Sequence, residues 1–175
     1  MNIYDFAMSM EKSGMKFYSK MVEATDDPGL KKIFSMMIKD EEFLFQQYEK
    51  MREKAPKRAL KDARGLAEET NVFAEGLDPQ KVLAKIDNDL DAYRFIMAVE
   101  EKLYKMYEKV AEQEEDAQLK NKLLEIAQVE HREHDEIQAA YDFVNAPNEY
   151  LAWGEFSNLG EFHNFGRDDG SRSNE

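Results

Sequence analysis

"YDFAMSMEKSGMKFYSKMVEATDDPGLKKIFSMMIKDEEFLFQQY", residues 4–48, lies without a gap over "YRFIMAVEEKLYKMYEKVAEQEEDAQLKNKLLEIAQVEHREHDEI", residues 93–137, at an offset of 89. Twelve of the 45 positions are identical, among them Tyr4/Tyr93, Glu11/Glu100, Tyr18/Tyr107, Asp27/Asp116 and Glu41/Glu130. The register also holds through the middle of each copy, where "TDDPG" (25–29) and "EEDAQ" (114–118) interrupt a helical pattern. Aspartate favours a helix N-cap and Pro28 suits the first turn that follows it. Each copy therefore reads as a hairpin of two helices, and the chain as that hairpin used twice.

Spacings of three and four residues give every helix one apolar stripe. On the first it runs Tyr4, Ala7, Met8, Glu11, Gly14, Met15, Tyr18, Met21 and Val22. The second centres on Phe34, Met37, Glu41, Leu44 and Tyr48, the third on Ile96, Glu100, Leu103 and Tyr107. The fourth centres on Leu123, Ile126, Glu130, Glu133, His134 and Ile137 and extends to Val144. Four amphipathic helices of roughly 25 residues, about 37 Å each, make an all-α four-helix bundle over residues 1–145. About 40 residues (52–91) separate the hairpins, enough to cross from one end of a bundle to the other, with short helices expected after Pro56 and Asp78. The C-terminal extension, 146–175, carries Trp153, Phe156, Phe162 and Phe165, which are expected to dock on the bundle or on a partner subunit. Its last stretch, "RDDGSRSNE", is expected to be disordered.

Composition narrows the chemistry. The net charge of −13 opposes binding to nucleic acid or an anionic membrane surface, and no apolar run approaches the ~20 residues of a membrane span. There is no cysteine, which excludes disulfides, zinc–thiolate and iron–sulfur sites. With no signal-peptide pattern in "MNIYDFAMSMEKSG", a cytoplasmic location is expected. Any metal would be held by oxygen and imidazole.

One glutamate falls at the centre of each stripe: Glu11, Glu41, Glu100 and Glu130. A single such residue more often lies at a stripe's edge and reaches water. Four at repeat-related positions point to a shared interior, and none of the inward positions is Lys or Arg. Carboxylates so placed either share protons at raised pKa values or surround a cation. Tyr18 and Tyr107 stand seven residues after Glu11 and Glu100, on the same faces two turns along. Their hydroxyls would either hydrogen-bond carboxylates of the opposite helices or serve as polar tips of core aromatics.

The recurrence of E-x6-Y followed by a helix bearing Glu41 or Glu130 resembles the rubrerythrin branch of the ferritin-like diiron-carboxylate proteins, over roughly residues 3–145. The resemblance implies a ferritin-like bundle holding two iron ions, a homodimer, and reduction of hydrogen peroxide or oxygen. It assigns Glu11 and Glu100 as bridging-type ligands, and Glu41 and Glu130 as the glutamates of two E-x-x-H motifs. The histidines depart from the pattern. Leu44 stands three residues after Glu41, and Glu133 three after Glu130. His134 comes one place late and would join the ligands only by turning inward, while His131 points away. Glu133 in place of nitrogen favours harder cations such as Mn²⁺, and loss of a ligand at Leu44 would leave one ion in place of two. Without the four-cysteine domain of full-length rubrerythrins, electrons would come from an external redox protein. Three functions stay open: a peroxide- or oxygen-reducing oxidoreductase, a metal-binding protein without turnover, and a structural or regulatory relative with protonated carboxyls.

Overall fold

The computed structural model describes residues 1–73 and 77–162, apart from the side chains of Arg64 and of 153–162. It is all-α, with no strand among the described residues: α1 (Ile3–Ala24), α2 (Pro28–Lys54), α3 (Pro79–Leu83), α4 (Asp89–Gln113) and α5 (Ala117–Phe162). Local chemistry starts each helix. Asn2 Oδ1 accepts from the Tyr4 and Asp5 amides at 3.1 and 3.0 Å, and Asp27 Oδ1 accepts from Leu30 N at 2.9 Å with Pro28 next to it. Asn88 caps α4 through Asp91 N at 3.1 Å, and Asp116 accepts from Gln118 N at 2.9 Å at the start of α5. Such caps satisfy amides that the first helical turn leaves without partners.

α1 pairs with α2 and α4 with α5, and close backbone approach between the two hairpins is sparse by comparison. The first residues of α2 and α4 lie side by side, since a Cβ on Gly29 would come within 2.7 Å of Asp89 Oδ1. α2 and α4 are thus parallel, and the crossover at 55–88 must travel the length of the bundle between them. On the way it makes two 3-10 turns (Lys57–Leu60 and Arg64–Ala67) and α3, which Asp78 caps through Gln80 N at 3.0 Å. It buries Ala59, Ala63, Leu66 and Phe73, and the Phe73 ring packs 6.0 Å from Phe17 and 5.8 Å from Tyr18.

Packing against both the crossover and α4 widens the buried face of α1 beyond its sequence stripe, with Phe17 against Phe73 and Phe95 and Phe6 against Tyr107. Ile3, Phe6, Met10 and Phe17 are buried too, whereas Met15 and Val22 stay partly exposed. The C-terminal region differs from expectation. α5 continues through Pro147 to Phe162, because proline costs a helix one hydrogen bond and a kink and need not end it. Within this extension Phe143, Tyr150 and Leu151 are exposed. The docking expected of Trp153, Phe156, Phe162 and Phe165, and the disorder expected of 167–175, fall outside the described side chains and residues. Among the described residues no helix is long and apolar enough to cross a membrane.

Candidate metal centre

The repeat brings Glu11 from α1, Glu41 from α2, Glu100 from α4 and Glu130 from α5 together in the interior. They are 1%, 4%, 2% and 0% exposed, and no ion pair among the described residues involves any of them. A buried acid without a cation holds its proton more tightly, since burial penalises the charged form. Burial first, then the neighbouring carboxylates, pushes Glu11, Glu41 and Glu100 well above the usual carboxylate range. A hydrogen bond between the Glu11 and Glu41 carboxyls raises Glu11 further and offsets part of the rise at Glu41. Burial raises Glu130 to about 7, where a hydrogen bond from Tyr48 lowers it and the charge of Glu133 raises it.

Two features of the chain make room for this cluster. Gly14, one turn after Glu11, leaves the space that the Glu41 carboxyl fills: a Cβ there would lie 2.5 Å from Glu41 Cδ and Oε1 and 2.6 Å from Oε2. Tyr48, fully buried late in α2, donates its hydroxyl to Glu130 Oε1 at 2.5 Å across the bundle. Sequence reasoning treated Tyr48 only as a stripe residue. The signal was present, since Tyr48 follows Glu41 by the same seven residues that separate Tyr18 from Glu11 and Tyr107 from Glu100.

Tyr18 and Tyr107 are buried against the carboxylates: Glu100 of the other hairpin acts most strongly on Tyr18, and Glu130 of its own hairpin, then Glu11 of the other, on Tyr107. The hydrogen bonds considered for them do not form; both hydroxyls are buried without a partner. Burial holds all three tyrosines well above their usual range, so they remain O–H donors.

Glu133 lies at the edge of the cluster, half-buried and raised to about 7 by burial, Asp40 and Glu136, and its charge acts on all four buried glutamates. His134 turns to the other side of Glu130 from Glu133, with Nδ1 buried and without a hydrogen-bond partner. α5 is regular here, so three residues from Glu130 turn Glu133 about 60° one way, toward α2, and four turn His134 about 40° the other way. The His134 ring lies edge-on to Tyr104 of α4 at 5.8 Å and 6.1 Å from His131, with Nδ1 3.5 Å from Asp135 Oδ1. Leu44, at the other E-x-x-H position, is buried in the core.

The donor set is therefore five carboxyls and no imidazole. No three ligand-type side chains among the described residues stand as a ready cage, as expected of acids that share protons and hydrogen bonds. The set nevertheless fits a divalent cation. Glu11 Oε1 and Glu130 Oε2 are buried with no hydrogen-bond partner, and buried acceptors left unpaired are costly. All-oxygen donors suit hard divalent ions, Mn²⁺ and Mg²⁺ among them.

The family model described as Rubrerythrin matches residues 2–141. Searches of curated proteins and of solved structures returned no match. A family match over most of the chain agrees with the paired hairpins, the crossover and the four interior glutamates: the chain belongs to the rubrerythrin family.

Proposed function

We propose that this chain binds iron in the carboxylate cluster and reduces hydrogen peroxide or oxygen there with electrons from a separate protein. The observation that carries this reading is the cluster of four buried glutamates, without a cation, whose Glu11 Oε1 and Glu130 Oε2 have no partner. Iron held there supplies the redox chemistry, two electrons and two protons converting each peroxide to two waters.

The chain's own residues do the rest. Glu11, Glu41, Glu100 and Glu130 release protons as they take up a cation, so affinity rises with pH. Tyr48 fixes the orientation of Glu130 through its 2.5 Å hydrogen bond. Tyr18 and Tyr107 keep O–H donors beside carboxyls of both hairpins. Ala7, Leu44, Leu103 and Ile126, each one turn from a glutamate and buried, keep bulk water out. A second reading, a single hard ion such as Mn²⁺ or Mg²⁺ held without turnover, draws on Leu44 and Glu133 standing where nitrogen ligands are expected.

The test is anaerobic loading of metal-free protein with Fe²⁺, then addition of peroxide and a reductant. Two irons per chain, a near-ultraviolet band on oxidation and sustained peroxide consumption are expected. One ion without turnover supports the second reading. No uptake, with an unchanged melting temperature, overturns both.

A further inference from the structure

A cavity of about 250 Å³ opens between α2 and α5, lined in part by Asp40, Glu133, Glu136, Met37 and Tyr93. Its lining grades from the surface inward: Glu136 is exposed, Asp40 and Glu133 are half-buried, and Met37 and Ile137 are buried. It also sits one step outside the cluster along both helices. Asp40 precedes Glu41, and Glu133 lies one turn beyond Glu130. Glu133 bears electrostatically on all four buried glutamates, and Asp40 on Glu100. The nearest opposing charge is Lys39, beside Asp40; none of the lining residues is basic. Glu130, one turn before the lining residue Glu133 on α5 and not itself in the cavity wall, is fully buried, with Oε2 lacking any partner.

Other hollows lack this row of carboxylates: the one lined by Ala127 and His131, next to Glu130, carries Arg132 beside Glu108. The one at the α4–α5 turn is lined by Lys61, Glu114, Glu115 and Asp116, and that beside α1 by Lys16 and Lys20; neither includes a residue adjoining a cluster glutamate. We propose that the cavity between α2 and α5 is the port through which divalent cations reach the carboxylate cluster, passed from Glu136 to Asp40 and Glu133 and then inward. This rests on the metal-binding reading and adds its route. A row of carboxylates at a narrow mouth concentrates cations and raises their association rate, an effect worth roughly 10- to 1,000-fold in charged clefts.

The experiment mixes metal-free full-length protein with Co²⁺ in a stopped-flow instrument and follows the visible absorption of the bound ion. In D40N/E136Q the association rate should fall about tenfold. In A140F, a plug placed in the cavity wall, it should fall by at least as much. Both should reach the wild-type stoichiometry. The control E108Q/E115Q removes the same two charges away from the cavity and should bind at the wild-type rate. Wild-type rates in both port variants, or equal slowing in the control, overturn the port. A wild-type chain that takes up no Co²⁺ overturns the metal-binding reading beneath it, and the port falls with it.

Discussion

Replacing Gly14 by alanine pits two local effects against each other. Gly14 is in the middle of α1, where alanine gains about 1 kcal/mol of helix propensity. Against this, the new Cβ would lie 2.5 Å from Glu41 Cδ, far inside van der Waals contact. The Glu41 carboxyl must swing away within a buried cluster, an overpacking cost of roughly 1–3 kcal/mol. It also gives up its hydrogen bond with Glu11, at about 1 kcal/mol. The balance is a loss of roughly 1–3 kcal/mol, or a fall in melting temperature of roughly 3–9 °C for a chain of this size. In an E41A background the clash has no partner, and G14A should stabilise by about 1 kcal/mol. A double-mutant cycle by urea denaturation should therefore give a coupling of roughly 2–4 kcal/mol between positions 14 and 41. Equal stabilisation by G14A in both backgrounds would refute the argument that glycine is there to seat the Glu41 carboxyl.

Other consequences are as direct. The metal-free protein should lose stability as pH rises. Burial lifts Glu130 and Glu133 from the ordinary glutamate value of 4.5 to about 7 in the folded chain, which therefore binds more protons through that interval. From Glu130 alone the loss is on the order of 3 kcal/mol, and urea midpoints measured with chelator should drop from pH 5 to pH 8; a rising midpoint contradicts the buried, uncompensated cluster. Y48F leaves Glu130 Oε1 unpaired, which should destabilise the chain by about 1–3 kcal/mol in urea melts. The same change should weaken cation binding at least tenfold by calorimetry. L44H supplies the missing imidazole one turn from Glu41, and metal analysis should find more bound iron per chain than in wild type.

The fold was legible because a period of 89 residues carried both the turns and the glutamates, so each hairpin corroborated the other. The effect of the crossover and α4 on α1 was not. Ile3, Phe6, Met10 and Phe17 lie off the stripe, and only chain segments distant in sequence make them interior. Helix periodicity also fell short at the C-terminus, where the stripe ends at Val144 although α5 continues through Pro147 to Phe162. In the site, the glutamates were found because buried acids are anomalous in an apolar stripe. Tyr48 was missed because an aromatic residue there is not anomalous, and only its seven-residue step from Glu41 marks it. His134 was an ambiguous case: a step of four residues leaves a side chain some 40° from its reference, and neighbouring Tyr104 decides where it goes.

The sparse approach between the two hairpins gives the glutamates a mechanical part as well. Glu11 and Glu41 belong to one half and Glu100 and Glu130 to the other, so they straddle the seam along which the molecule is most loosely knit. Tyr48 reaches Glu130 across that seam and aromatic packing such as Phe6 on Tyr107 crosses it, while the strap at 55–88 tethers the two halves. Whatever grips carboxyls from both sides rivets the halves together, and amide exchange along α1 and α5 would register the tightening.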